Sequence, residues 1–339
     1  MTTDREAWLA LTEEEAIDPG LPILDPHHHL WDRPGNRFML DELTRDLAGG
    51  HHVVQTVFVE CHSMYRKDGP QEMASVGETE FVQGVAAQSA SGQFGDTAVA
   101  AGIVSNADFS LGDAVAPVLE AHMAASGNRF RGIRFSLSWD ASPEITPASS
   151  RTRGLLSDPK FREGFAYLQR YGLSFDALVY HPQLTELVDL ANAFPEVTFI
   201  LNHIGRPLGT GPYAGKRDEV FADWKKGITA IAACPNVVVK VGGLGNTISG
   251  FDWHQRPLPP TSTELAKTMA PYYLFCIEQF GANRCMFESN FPVDKASYSY
   301  TVLWNAFKRI TRDFSKSELT ALFHDTAAKA YRLPEIGGE

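Results

Sequence analysis

Short, almost uninterrupted apolar runs recur along the chain. They are LPILD (21–25), VVQTVFVE (53–60), TAVAAGIV (97–104), FRGIRFSL (130–137), LSFDALVY (173–180), VTFILNH (197–203), NVVVKVGG (236–243) and RCMFESNF (284–291). A strand with one wet face alternates apolar and polar residues. These runs do not, which is the pattern of parallel strands buried on both faces. Between most of them lie segments with apolar residues at helical spacing. One begins near Asp108. A second takes Ser157 as N-cap and Pro159 in its first turn, and stops at Gly172. A third ends before Pro195 and a fourth at Gly281, a C-cap glycine. Two helices close the chain, over 298–311 and 315–333, and Ser315 with Glu318 forms a capping box at the start of the last.

Eight strands alternating with helices predict an α/β protein, a single-domain (β/α)8 TIM barrel over residues 21–335 behind an N-terminal extension, residues 1–20. A doubly wound open sheet is the alternative, but no G-x-G-x-x-G joins the first strand to a helix. Walker A, G-x-S-x-G and HExxH motifs are absent from the sequence. The longest irregular connection, residues 138–154, reads as a lid or binding loop.

Composition narrows the partners. The 339 residues carry a net charge of −11 and no Lys/Arg block, which argues against nucleic acid. No apolar run reaches the roughly 18 residues needed to span a bilayer, so no membrane partner is expected. The start, MTTDREAWLALTEEEAID, has no basic stretch leading into an apolar one. A cytoplasmic protein is therefore expected, with Cys61, Cys234, Cys276 and Cys285 as free thiols.

The chemistry gathers where the apolar runs end. In LPILDPHHHLWD, His27 and His29 share one face of a strand and His28 points away. At the C-terminal end of a first barrel strand that face is the mouth, and two neutral imidazoles there make a metal half-site. The second run ends in Glu60, the fifth is followed by His181, the sixth ends in His203, and the eighth runs into ESNFPVD. One such group is an ordinary strand end meeting solvent; five of metal-competent type point to a shared site. Arg134 and Lys240 lie inside strands, where a charge must reach the mouth or an ion pair. Arg134 fits either a substrate carboxylate or a structural partner. His51 and His52 fall at the opposite end, and His122, His254 and His324 read as structural. Trp31, Trp139 and Trp253 fit a pocket wall or the core equally.

In combination, DPHHHLWD, LNHIGRP and RCMFESNFPVDK resemble the amidohydrolase-2 family of predicted metal-dependent TIM-barrel hydrolases, from about residue 20 to 335. That family includes sugar-lactone hydrolases, dicarboxylate lactonases and aromatic-acid decarboxylases. The resemblance implies His27 and His29 as metal ligands, His203 as a further ligand or substrate contact, and a divalent metal: zinc first, with manganese or iron, or a dinuclear centre, as alternatives. The sequence departs from the family at two places. The strand-eight Asp of its lactonases is Asn290 here, and an amide cannot act as a base. Phe135 stands where this subgroup leads one to expect His.

The leading expectation is hydrolysis of a small lactone or related carboxylate-bearing substrate. His27, His29, His181, His203 and Glu60 would be ligands. Asp294, Glu60 and Asn290 would be the catalytic candidates, and Arg134, Arg206 and Trp31 would bind substrate. Two alternatives stay open: a dinuclear Fe/Mn oxygenase resembling an aminoisobutyrate hydroxylase, and a non-catalytic partner subunit. A homo-oligomer, or a hetero-oligomer with a paralogous chain, fits each.

Overall fold

The computed structural model describes residues 3–146 and 153–334. Eight parallel strands pair in chain order: β1 (Ile23–His28), β2 (Val53–Val59), β3 (Ala98–Ser105), β4 (Phe130–Ser136), β5 (Ser174–Leu178), β6 (Phe199–Leu201), β7 (Val237–Val241) and β8 (Cys285–Phe287). A parallel bridge between His28 and Phe291 brings the end of β8 back to β1, so the barrel is nearly closed. The strand order never reverses. That excludes the doubly wound alternative, in which a reversal makes the binding crevice.

Alternation sorts the strands' side chains. Leu24, Val57, Val59, Val104, Ile200 and Met286 form one buried apolar cluster, closed from one end by Ala327, Ala330, Tyr331 and Leu333. We take it as the inner layer, because the neighbouring positions on the same strands, such as Ile23, Phe58 and Phe287, pack in the separate cluster shared with the helices. In that outer shell Phe109, Phe161, Phe165, Phe175 and Phe199 interlock, with Phe165 and Phe175 centroids 4.9 Å apart. Phe135 joins this shell, 6.0 Å from Phe161. Its side chain packs outside the barrel and leaves no lost site group to explain.

Helix termini follow local chemistry. Helix Pro159–Tyr171 is capped by Asp158, whose carboxylate accepts from Phe161 N at 2.9 Å, one residue later than the expected Ser157. The Ser157 hydroxyl donates to Gly154 O instead. Gly172 ends that helix at φ 63°. The Ser315–Glu318 box forms, with Ser315 N donating to Glu318 Oε2 at 2.8 Å. The expected final helix is interrupted by a π turn over Ala321–Asp325, where Leu322 and Phe323 are buried. A hairpin that no apolar run predicts pairs Trp31–Arg33 with Asn36–Phe38, and Pro34 and Gly35 (φ 71°) make its turn.

Helix Thr3–Leu9 lies against the barrel body, Trp8 Nε1 donating to Arg256 O at 2.9 Å. All four cysteines are free. Among the described residues no helix is long and apolar enough to cross a membrane. Residues 147–152 of the expected lid loop lie outside the described residues.

Candidate metal centre

One strand step above the apolar layer, the inner face turns polar. Arg134 (β4) stands beside Asp176 (β5) in register, and Lys240 (β7) beside Met286 (β8). The next inward position after Met286 is Glu288. Arg134 Nε donates to Glu60 Oε1 at 2.7 Å, and its Nη2 bonds the Glu60 carbonyl. Lys240 Nζ donates to Asp176 Oδ1 at 2.8 Å, an oxygen that also accepts from Asn202 Nδ2 and Tyr331 OH.

The histidines converge on this layer. The His27 ring lies 4.9 Å from His29 and 4.6 Å from His203. His203 Nδ1 is 2.7 Å from Glu288 Oε1, and ligand atoms of His27, His203 and Glu288 all lie within 4.8 Å of one another. His29 Nδ1 donates to Val59 O at 2.7 Å, which leaves Nε2 as its lone-pair nitrogen. His28 points away, onto Thr56 Oγ1 at 2.9 Å. Burial first, and the neighbouring cations second, hold His27 and His203 well below the usual imidazole range; His29 is lowered in the same way, with Arg134 the nearby cation. Burial pushes Glu288 up to about 8, partly offset by Lys240.

Local backbone makes this convergence. His203, Ile204, Gly205 and Arg206 have φ of 55°, 49°, 73° and 44°, a left-handed turn that a β-branched residue adopts only under strain. The turn swings the His203 ring inward. Gly242 and Gly243 leave the room: a Cβ on Gly242 would sit 2.4 Å from Glu288 Cγ, and one on Gly243 2.5 Å from His203 Cβ.

A divalent cation suits these donors. Glu288 Oε2 lies 2.7 Å from His27 Nδ1 without an aligned hydrogen bond, and Lys240 Nζ stands 3.1 Å from the same nitrogen. Glu60 Oε2 and Asp176 Oδ2 are likewise buried without a hydrogen-bond partner. Two neutral imidazoles and a carboxylate form a donor set of the zinc, iron and manganese type.

The remaining sequence candidates are distributed differently. Glu60 reaches His27 only through Arg134, whose Nη1 is 3.3 Å from His27 Nε2. Trp31 stacks on His29 at 6.0 Å. Arg206 is half-buried over the Tyr180 ring, with Ser138 Oγ at 3.3 Å. His181, expected as a ligand, accepts from Leu208 N at 3.3 Å and packs on Tyr213 in a separate surface pocket with Asp140 and Asp223. Asp294, expected as a base, has its oxygens engaged by Asn290 Nδ2, Tyr298 OH and Gly245 N at 2.7–2.9 Å. The Asn290 amide is therefore committed to Asp294. Asp176 and Glu288 were not singled out as site residues. Their signal was available: an acid within LSFDALVY and another directly behind RCMF, each a costly charge on a buried strand.

Fold and site together define a parallel barrel protein with a metal-competent His/His/Glu cluster at the C-terminal ends of its strands. The chain belongs to the amidohydrolase family, whose model matches residues 24–333. It is 36% identical to an uncharacterized protein, y4mH, of Sinorhizobium fredii, over 92% of this chain and 99% of that one. It is 26% identical to an L-fucono-1,5-lactonase of Burkholderia ambifaria, covering 93% and 97%. The crystal structure of a Burkholderia multivorans amidohydrolase with bound zinc superposes with a TM-score of 0.70 at 24% identity, covering 92% and 99%, which supports the fold.

Proposed function

We propose that this chain is a metal-dependent hydrolase that opens a small lactone bearing hydroxyl or carboxylate groups. The observation that carries the reading is the buried convergence of His27, His203 and Glu288, with His29 alongside and carboxylate oxygens left unpartnered. Those residues would hold a divalent ion. Such an ion supplies Lewis-acid polarisation of the lactone carbonyl and a water acidified toward neutral pH. With Asn290 in place of the strand-eight Asp, Glu288 brings the negative charge to the ligand set. Glu60 accepts the proton at Oε2, while Arg134 fixes the carboxylate through Oε1. Arg206 has no carboxylate partner among the described residues, and its planar fork anchors the substrate's oxygens. Trp31 and His29 form one wall of the mouth. The likeness to proteins named L-fucono-1,5-lactonase and L-rhamnono-gamma-lactonase supports a sugar-type lactone.

Purified protein is assayed for proton release from a panel of 1,4- and 1,5-aldonolactones, alongside elemental analysis. Turnover of at least one lactone with bound zinc, manganese or iron is expected. The double substitution His27→Ala/His29→Ala is expected to remove the metal with an intact far-UV spectrum, and to lower turnover by at least about 10³-fold, roughly 4 kcal/mol. Stoichiometric metal without any lactone opening, or metal retained by the double variant, defeats the proposal. Iron with oxygen consumption would instead favour the oxygenase alternative.

A further inference from the structure

At the other end of the barrel, where the strands begin, lies a cavity of about 500 Å3. Gln55 of β2, Ala98 of β3, Ser89 of helix Val76–Ser89 and three arginines, Arg129, Arg131 and Arg332, line it. Among the described residues, carboxylates are absent from its lining and none of the three arginines makes a salt bridge, although this chain has a net charge of −11. Their hydrogen bonds are few and neutral. Arg129 Nη1 donates to Gln83 Oε1 at 3.0 Å, Arg131 Nη1 to the carbonyls of Asn128 and Phe130, and Arg332 to the carbonyls of Ala330 and Arg131. Arg131 Nε is buried with no partner.

A guanidinium has five N–H donors and no acceptor, so most of the donors around this cavity are unspent. The three cations also oppose one another: burial first, then Arg332 and Arg129, lower the Arg131 guanidinium below its ordinary value. Like charges held together beside a cavity favour a multivalent anion that accepts several forks at once.

We propose that the cavity formed by Arg129, Arg131 and Arg332 is a binding site for a small multivalent oxyanion, a phosphate or a dicarboxylate. It is separate from the metal centre, which lies at the opposite ends of the same strands. Arg131 supplies a half-buried fork whose Nε is enclosed, and half-buried Arg129 and exposed Arg332 face the anion from the loop Gly127–Arg129 and from the segment Arg332–Pro334.

Inorganic phosphate and malonate are titrated into the full chain by calorimetry, with ionic strength held constant by chloride. Saturable binding of either anion in the low-millimolar range or tighter is expected, with the preference reporting which oxyanion class the site takes. Arg131→Gln is expected to weaken it at least 10-fold. Should that variant misfold, Arg129→Gln serves, since among the described residues the Arg129 guanidinium is bonded only to the Gln83 side chain. An absence of saturable binding beyond chloride overturns the proposal, as does binding unchanged in both variants, which would place the anion elsewhere. A third arm uses the full-length variant Glu335→Gln/Glu339→Gln. Binding that appears only there would mean that the chain's own acids fill the seat, and it too overturns the proposal.

Discussion

Val238 and Lys240 stand two residues apart on β7, Met286 and Glu288 on β8, and Leu24 lies three before His27 across the irregularity in β1. Each pair points into the same barrel, yet the two layers are built on opposite terms. The lower layer is apolar, buried and closed by the C-terminal segment. The upper layer packs Arg134, Lys240, Glu60, Asp176 and Glu288 into a buried interior, with three carboxylate oxygens lacking a protein partner. Burying such groups costs stability that ion pairing only partly offsets. The lower layer and the aromatic shell therefore hold the barrel, while the upper layer collects the groups of the candidate centre at a cost in stability.

The comparison breaks most visibly at Lys240. Lys240→Met leaves Asp176 buried without its cation, and a loss of about 3–5 kcal/mol is expected in urea unfolding. The double variant Lys240→Met/Asp176→Asn should recover most of that stability while remaining inactive. A single variant as stable as the parent would show that this layer carries no strain. In the lower layer, Met286→Ala should cost about 2–5 kcal/mol through the cavity it opens, while the folded fraction keeps its metal. Metal lost in proportion to stability would mean that the layers are not separable.

A smaller effect concerns a buried polar group outside both layers. His122 is bonded to Thr79 Oγ1 at 2.8 Å, Ser75 Oγ at 3.2 Å and Asn106 O at 3.1 Å, and burial lowers it to about 4. Its folded value lies below the ordinary imidazole value near 6.5. The stabilisation is therefore nearly whole above pH 6.5 and drains as pH falls toward 4, the loss reaching about 2 kcal/mol at pH 5. Unfolding free energies at pH 7 and pH 5 in the parent and in His122→Gln check this. An identical pH dependence in the two would remove His122 from the account.

The eight strands were legible because a strand covered on both faces has no reason to alternate, and VVVKV or CMF shows it. His27 and His29 were legible by the two-residue period of β1. Glu288 is less legible although it follows β8 directly, because the motif residue two positions on is Asn290, whose amide turns to Asp294. His181 and Asp294 were chosen by the same rule that found His203, a polar group just past a strand. The rule cannot separate them. His203 enters the centre only because its φ of 55° begins a left-handed turn made possible by glycines forty residues away on β7's exit. His181 leaves its strand in ordinary backbone and reaches Leu208 instead.

By itself the sequence determined the barrel, the end of it that carries chemistry, and the residue types available there. All three follow from short-range periods of burial and polarity. Which imidazoles and carboxylates meet was decided by tertiary structure alone: the direction a side chain takes after its strand ends depends on close approaches between distant segments, and no local pattern encodes those.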